Sequence, residues 1–464
     1  MKPAQLTPGA PNAPEAPTAT ASASVKPATT RGPNGPLTRW LERTSSPVFA
    51  LYAIGASFST YACMYGFRKP FAVAAFAGTT SLPGVGAVDT KIVYLIAQLV
   101  GYAASKLLGI KVISEMTAWR RTRALVAAIV SAELALVAFG LVPDWVAPVC
   151  LALNGLSLGL VWGLVFGYLE GRRVSDVLGA GLAASFIVAS GFVKSAGKLL
   201  LDAGVPERWM PAAAGALFLA PTFASIALLA QLPPPTEADE AARLVRQPMD
   251  HAARRRFFLA AAPGLLALTF AYVLFTAFRD FRDNFARELW TALGYGASPA
   301  LLTTSELPVA AGSLLAVGSV MLVRDNARAV AAVHALLLVG ATIIGASTLA
   351  FELGALGPVA WMILLGTGLY VGYVPYNCVL FDRMVPALGY AGTAGFLIYV
   401  TDACGYLGSV ALMLLKSFGH PELSWLSFFV RFSYVTASAG AALFAASLFY
   451  FVRRARLAVA PRAA

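Results

Sequence analysis

Long apolar runs separated by short polar segments fill the sequence from about residue 48 onward. A helix needs roughly 20 apolar residues to cross a bilayer, and about twelve of the runs reach that length. The runs are continuous and lack the period-2 alternation of a transmembrane β-barrel. The pattern predicts an all-α membrane protein with about twelve transmembrane helices, approximately at 48–76, 91–113, 124–142, 146–169, 177–200, 211–231, 257–280, 299–322, 328–350, 357–380, 391–415 and 426–452.

One interior segment is both long and charged, and it divides the twelve runs into two sets of six. It contains the prolines from Pro233 onward and the cluster Arg254–Arg256. Most Lys and Arg residues of the loops fall on one side, which marks the cytoplasmic face and places both termini there. We therefore predict a disordered cytoplasmic tail, a six-helix bundle, a cytoplasmic linker, a second six-helix bundle and a cytoplasmic tail, at residues 1–46, 47–231, 232–256, 257–453 and 454–464.

The composition agrees with a membrane location and narrows the function. Hydrophobic residues make up 58% of the 464 residues and charged residues only 12%, about half the charged fraction of a soluble domain. The net charge of +12 comes from short loops rather than a continuous basic face, so we expect no nucleic-acid partner. Four cysteines without metal-ligand spacing and three histidines predict no metal site, and we expect no cofactor.

Two cations interrupt the first apolar run, at Arg68 and Lys69. An ionisable side chain inside a membrane is costly and is by default a functional-site hypothesis. The pattern recurs in the second half, because Tyr272 precedes Arg279 by seven residues as Tyr61 precedes Arg68. Arginines in matching halves suggest an anion-binding cavity between the repeats. The alternative is that both side chains reach toward the headgroups at an outer helix end.

Two stretches carry a resemblance to a known family. Residues 60–74, TYACMYGFRKPFAVA, and residues 101–109, GYAASKLLG, are similar to the first and second helices of the organophosphate:phosphate antiporter branch of the major facilitator superfamily, the glycerol-3-phosphate transporter-like proteins. The resemblance implies the major facilitator fold, a monomer and a bacterial inner membrane. It also implies that Arg68 and Arg279 bind phosphate, with Lys69 and Lys106 beside them.

The sequence departs from that branch at several positions. The functional histidine of its fifth helix aligns with Val188, and an asparagine is replaced by Pro70. The resemblance is strongest over residues 58–110, so phosphate-ester specificity does not transfer with it. In the seventh run, Arg282 is an alternative second anion ligand to Arg279, and Asp280 or Asp283 can neutralise either one.

Further polar residues lie inside the predicted helices. Asp402 is near the middle of the eleventh run, where it can pair with an arginine, couple transport to protons or serve a structural role; Glu306 raises the same question in the eighth. Tyrosines and one amide can line a ligand or simply pack against neighbouring helices: Tyr61, Tyr65, Tyr370, Tyr373 and Asn377. We expect Lys194 and Lys198 to reach the outer surface of the fifth helix.

These features predict a secondary transporter that moves a small anionic solute by alternating access. The solute would be an organophosphate, phosphate or a carboxylate, with protons or phosphate as the coupling ion and the lipid bilayer as the other partner. Alternatives are a membrane-embedded enzyme and a non-transporting sensor. The sequence lacks H-E-x-x-H and G-x-x-x-x-G-K-[ST] motifs, so we expect no enzymatic activity.

Overall fold

The computed structural model describes residues 35–82, 86–114, 116, 118–172, 174–236, 239, 251–296, 298–388 and 395–459. Twelve helical spans within these residues are long and apolar enough to cross a membrane, which confirms the predicted all-α architecture. We number the spans 1–12 in chain order. Spans 1–6 consist of helices Ser46–Met64, Thr90–Ser114, Ala118–Leu141, Ala147–Leu158 with Val161–Phe166, Ser175–Asp202, and Met210–Leu229.

Spans 7–12 repeat this arrangement in the second half of the chain. We call the end of the bundle where odd-numbered spans begin the inner end, and the opposite end the outer end. Short π-helical segments at Tyr376–Leu380 and Leu415–Gly419 lie within spans 10 and 11. The α-helices are His251–Asn284, Pro299–Thr304 with Glu306–Met321, Asn326–Glu352, Pro358–Pro375 with Phe381–Ala387, Gly395–Leu414, and Trp425–Val459.

Three small elements lie outside the spans. Helix Pro36–Arg43 forms where the sequence predicted a disordered tail; Pro36 begins it, and Thr38 donates a 3.0 Å hydrogen bond to Gln231. Strands Thr79–Leu82 and Gly86–Asp89 form an antiparallel hairpin after span 1, and helix Ala286–Ala292 follows span 7. Residues 1–34 of the predicted tail, and parts of the predicted linker and C-terminal tail, lie outside the described residues.

Span 1 ends earlier than the apolar run predicts. The helix stops at Met64 and continues as a 3-10 turn to Phe67. Arg68 and Lys69 then lie outside any regular helix, although their dihedral angles stay in the right-handed helical region. Pro70 prevents the helix from continuing, because its nitrogen carries no hydrogen and cannot donate to the preceding turn. The chain therefore turns inward at Arg68 instead of continuing as one long tilted helix to residue 76.

The two halves meet along four helices. Span 2 packs against span 11, and span 5 packs against span 8. Spans 5 and 10 are the most buried, at 72% of the spanning window, whereas only 28% of span 12 is buried. Spans 5 and 10 therefore lie largely inside the protein, whereas span 12 presents most of its surface outward.

Spans 2 and 4 approach each other closely enough to require glycine. A Cβ atom added to Gly155 would lie 2.1 Å from the carbonyl oxygen of Gln98, and one added to Gly101 would lie 1.9 Å from that of Ala152. Because both obstacles are backbone atoms, a side chain at either position would force the helices apart.

We expect Gly155→Ala to lower the melting temperature of the purified protein, since overpacking of this kind costs about 1–3 kcal/mol. Gly55→Ala is the matched control, because nothing lies within 4 Å of a Cβ atom at that helical position. Thermal unfolding of the two variants beside the original protein makes the comparison. Equal melting temperatures for Gly155→Ala and Gly55→Ala would contradict the close crossing of spans 2 and 4.

Candidate functional site

Ten buried or half-buried charged side chains lie at the centre of the bundle, and we call them the central cluster. Six are cations and four are acids. Four of the cations come from the first half, at the end of span 1 and in spans 2 and 5. The other two cations and all four acids come from spans 7, 8 and 11 of the second half. The cations are Arg68, Lys69, Lys106, Lys194, Arg279 and Arg282, and the acids are Asp280, Asp283, Glu306 and Asp402.

Arg68 is buried in the protein interior, with 2% of its surface exposed, and does not reach the headgroup region. Its guanidinium carbon lies 3.8 Å from the ring centroid of Tyr102 and 5.5 Å from that of Tyr406. None of the ion pairs among the described residues includes Arg68, and its Nε atom has no hydrogen-bond acceptor. Aromatic faces lie against this cation, and Asp280 is within electrostatic range of it without forming an ion pair. The Nε atom of Arg68 therefore lacks an acceptor.

Two buried amides hold the broken end of span 1 in place. The side chain of Asn154 donates to the carbonyl oxygen of Phe67 at 3.1 Å, and that of Gln98 donates to the carbonyl oxygen of Arg68 at 3.3 Å. Gln98 also donates to Asn154 at 2.9 Å. These bonds satisfy carbonyl groups that the interrupted helix leaves free. They fix the backbone from which the Arg68 side chain extends.

Arg279 lies on the opposite side of the same space. It pairs with Asp280 at 2.7 Å, and its guanidinium carbon lies 4.1 Å from the ring centroid of Tyr373. Tyr65 and Tyr406 are within electrostatic range of both Arg68 and Arg279. The two arginines that the sequence placed in equivalent halves therefore converge on shared tyrosines. Asp280 also accepts a 2.8 Å hydrogen bond from Ser409.

In the outer part of the cluster, two lysines share one carboxylate. Asp283 pairs with Lys69 at 2.5 Å and with Lys194 at 2.7 Å. Ser190 donates to the same carboxylate, and Lys69 donates to Asn284 at 2.8 Å. The sequence-based expectation that Lys194 reaches the outer surface is wrong, because this side chain is 3% exposed and points at the second half.

The inner part of the cluster joins Lys106 to Asp402, whose Nζ and Oδ2 atoms lie 2.9 Å apart. Tyr272 donates to the other carboxylate oxygen, and Asn377 donates to Tyr272 at 3.5 Å. Neither arginine is the partner of Asp402 that the sequence suggested. The depth of the side chains in the bundle explains this pairing. Lys106 lies about 24 Å along span 2 from Thr90, at the level of the inner third of span 11, where Asp402 lies.

Arg282 and Glu306 form a separate pair inside the second half, 2.9 Å apart. Arg282 also donates to the carbonyl oxygen of Met362 at 3.2 Å and contacts Gly366, where an added Cβ atom would lie 2.8 Å from it. Two guanidinium nitrogens are thus engaged with spans 8 and 10. This arrangement ties those spans to span 7.

Of the remaining predicted residues, Tyr61 and Tyr65 lie inside the first half, and Tyr370 lies on span 10 of the second half. The hydroxyl groups of Tyr61 and Tyr102 lie 3.4 Å apart, and the rings of Tyr61 and Tyr65 pack edge to face with centroids 5.6 Å apart. Tyr370 packs against Phe186. Sequence reasoning missed Tyr102, Tyr406, Gln98 and Asn154, since each looks like an ordinary helix residue until the tertiary contacts place it beside Arg68.

Ion pairs between the halves share one polarity among the described residues. In each of four pairs the first half provides a lysine and the second half a carboxylate: Lys69–Asp283, Lys91–Glu288, Lys106–Asp402 and Lys194–Asp283. This complementarity attracts the halves to each other and fixes their register. It also means that the halves separate only if these charges find other partners or water.

We expect Lys106→Met and Asp402→Asn each to lower the melting temperature more than the double variant does. Removing one partner leaves an uncompensated buried charge, at a cost of about 3–5 kcal/mol, whereas removing both leaves none. Asparagine keeps an acceptor for Tyr272. Melting temperatures of the three variants measure the coupling, and additive losses would contradict the ion pair.

Solved structures share the fold of this chain. A D-xylose–proton symporter has a TM-score of 0.54 at 15% identity, covering 87% of this chain and 97% of that one. A bacterial homologue of the human drug peptide transporters PepT1 and PepT2 has a TM-score of 0.55 at 13% identity, covering 88% and 99%. A structure of proton-dependent oligopeptide transporters has a TM-score of 0.56 at 15% identity, covering 88% and 100%. The chain therefore has the major facilitator fold.

No curated protein matches the sequence. The model of one protein family, described as a family of unknown function (DUF5690), matches residues 70–454, which include all of the central cluster except Arg68 and Lys69. The chain therefore belongs to the DUF5690 family.

Proposed function

We propose that this protein is a secondary active transporter for a small divalent anion. The matched structures are a proton symporter and two peptide-transporter structures, so their fold is one that moves solutes by alternating access. The observation that carries the proposal is Arg68, a buried cation without a carboxylate partner among the described residues.

The charge balance of the central cluster supports a divalent anion. Six cations face four carboxylates, so the cluster carries two positive charges in excess. Arg68 accounts for one of them, and the sharing of Asp283 by two lysines accounts for the other. Burying an uncompensated charge costs several kcal/mol. A phosphate monoester, inorganic phosphate or a dicarboxylate supplies the two negative charges that the cluster lacks.

Unused hydrogen-bond donors point to the same chemistry. Buried nitrogens without acceptors include Arg68 Nε, Arg282 Nε and Asn284 Nδ2. Guanidinium groups donate in a planar fork that matches carboxylate and phosphate oxygens. We place the anion between Arg68 and Arg279, beside Tyr65 and Tyr406. Arg282 is the weaker candidate for the second ligand, because Glu306 and Met362 already occupy two of its nitrogens.

Alternating access requires the outer ion pairs to open. Asp283 and Glu288 join the halves near the outer end, and Ser195 lies 2.6 Å from Thr303 in the same layer. These contacts close the outer side of the bundle. An anion bound to Lys69 or Lys194 would replace Asp283 as their partner, so binding lowers the cost of separating the halves.

Asp402 is suited to couple the anion to a proton. While ionised, it holds Lys106 at 2.9 Å. A proton on Asp402 would neutralise the carboxylate and release Lys106 to meet the incoming anion. The protonated carboxyl group can in turn donate to the hydroxyl group of Tyr272, which lies within hydrogen-bond distance of it. The alternative is exchange against phosphate without proton movement.

We expect Arg68→Lys to lower transport of the best anionic substrate about ten- to a hundredfold, because a bidentate charge-assisted contact of about 1.5–3 kcal/mol is lost. Uptake into proteoliposomes measures the effect, with inorganic phosphate, a phosphate monoester, a dicarboxylate and a monocarboxylate as probes. Arg123→Lys is the matched control, since Arg123 is exposed and lies outside the central cluster.

The probe panel separates the two parts of the proposal. Divalent anions that are transported by the original protein, but poorly by Arg68→Lys, support both the function and the site. Full transport by Arg68→Lys would remove Arg68 from the site, and no uptake of any anion by the original protein would overturn the proposed function.

We expect Asp402→Asn to keep anion exchange but to lose accumulation driven by a pH gradient, because the variant has no carboxylate to protonate. Counterflow of labelled substrate measures the exchange, and uptake with an acidic exterior measures the driven transport. If the variant still accumulates substrate in response to the pH gradient, Asp402 is not the coupling acid.

A further inference from the structure

A cavity lies away from the central cluster, at the inner end of the second half. Its volume is about 650 Å³, within the range of small-molecule sites. It opens between the start of span 9 and the ends of spans 10 and 12. The lining residues are Asp325, Ala327, Arg328, Val330, Ala331, Met384, Ala387, Leu388, Leu448, Phe451 and Val452.

The interior of this cavity is apolar, and a buried histidine joins two of the spans that line it. Val330, Met384 and Phe451 are buried and line it. Beneath them, the fully buried His334 makes hydrogen bonds of 2.8 Å to the carbonyl oxygen of Val330 and 3.0 Å to Ser447. The first bond lies within span 9, and the second joins span 9 to span 12 beside the cavity.

The cavity adjoins a basic surface. The ends of spans 8, 9, 10 and 12 around it carry five arginines and two aspartates, a net charge of +3: Arg324, Arg328, Arg383, Arg453, Arg454, Asp325 and Asp382. Of these seven, Arg328 and Asp325 line the cavity itself. Arg328 is exposed and itself lines the cavity. Asp325 is engaged as the helix cap of span 9, accepting from the backbone of Arg328 at 2.8 Å. An apolar interior next to a cationic surface is complementary to a ligand that has an apolar part and an anionic head group.

We propose that this cavity binds one anionic phospholipid, with an acyl chain against Val330 and Phe451 and the phosphate at Arg328. Three features select a lipid over a water-soluble anion. The interior is apolar, span 12 is the least buried span and so faces the bilayer, and basic pockets between membrane helices attract anionic headgroups. The neighbouring arginines strengthen the attraction.

The full chain is reconstituted in vesicles that contain equal amounts of phosphatidylglycerol and phosphatidylcholine, and it is then released in mild detergent. Native mass spectrometry counts the lipids that the protein retains. We expect the original protein to retain phosphatidylglycerol preferentially. Arg328→Gln should lower the ratio of the two lipids about fivefold. Ala327→Trp, which fills the cavity without changing charge, should remove the retained lipid. Arg123→Gln at the inner end of the first half should behave like the original protein.

Two outcomes would overturn the proposal. Equal retention of both lipids by the original protein would mean that the cavity does not select an anionic headgroup. Retention of phosphatidylglycerol by Ala327→Trp would mean that the arginines attract lipid diffusely and that the cavity holds none. Neither result depends on anion transport, because the cavity shares no residue with the central cluster.

Discussion

The structure depends on one constraint, which is that six cations and four acids must be accommodated inside an apolar helix bundle. Each lysine of the central cluster is held by a carboxylate of the second half, so the charges that would repel one another become the contacts that join the halves. Arg68 departs from this scheme, because it lies against the rings of Tyr102 and Tyr406 and forms no ion pair among the described residues. A ligand that completes its coordination would explain why the bundle keeps an unpaired cation.

The position of Arg68 follows from a local break in the chain. Pro70 ends the helix of span 1, and Asn154 and Gln98 bind the carbonyl groups that the break exposes. Because the amides come from spans 4 and 2, the turn is held by the body of the first half. Arg279 extends from the uninterrupted helix of span 7. Relative motion of the two halves would therefore change the separation of the two guanidinium groups directly.

The sequence was sufficient for the architecture and for most of the cations. Hydropathy located the twelve spans because each apolar run is bounded by charged loops. It failed at the end of span 1, where the apolar run continues to Phe76 although the helix does not. The partners of Asp402 and Lys194 were also missed, since pairing depends on helix depth and rotation. The aromatic and amide residues around Arg68 carry no signal that separates them from packing residues.

The central claim is that Arg68 forms part of a binding site for a divalent anion. Calorimetric titration of the purified protein tests this claim most directly. Inorganic phosphate, a phosphate monoester and a dicarboxylate are titrated into the original protein and into Arg68→Gln. The account predicts saturable binding of at least one divalent anion, which the substitution abolishes or weakens by more than tenfold. Equal affinity in the two proteins would contradict it, as would the absence of binding by the original protein.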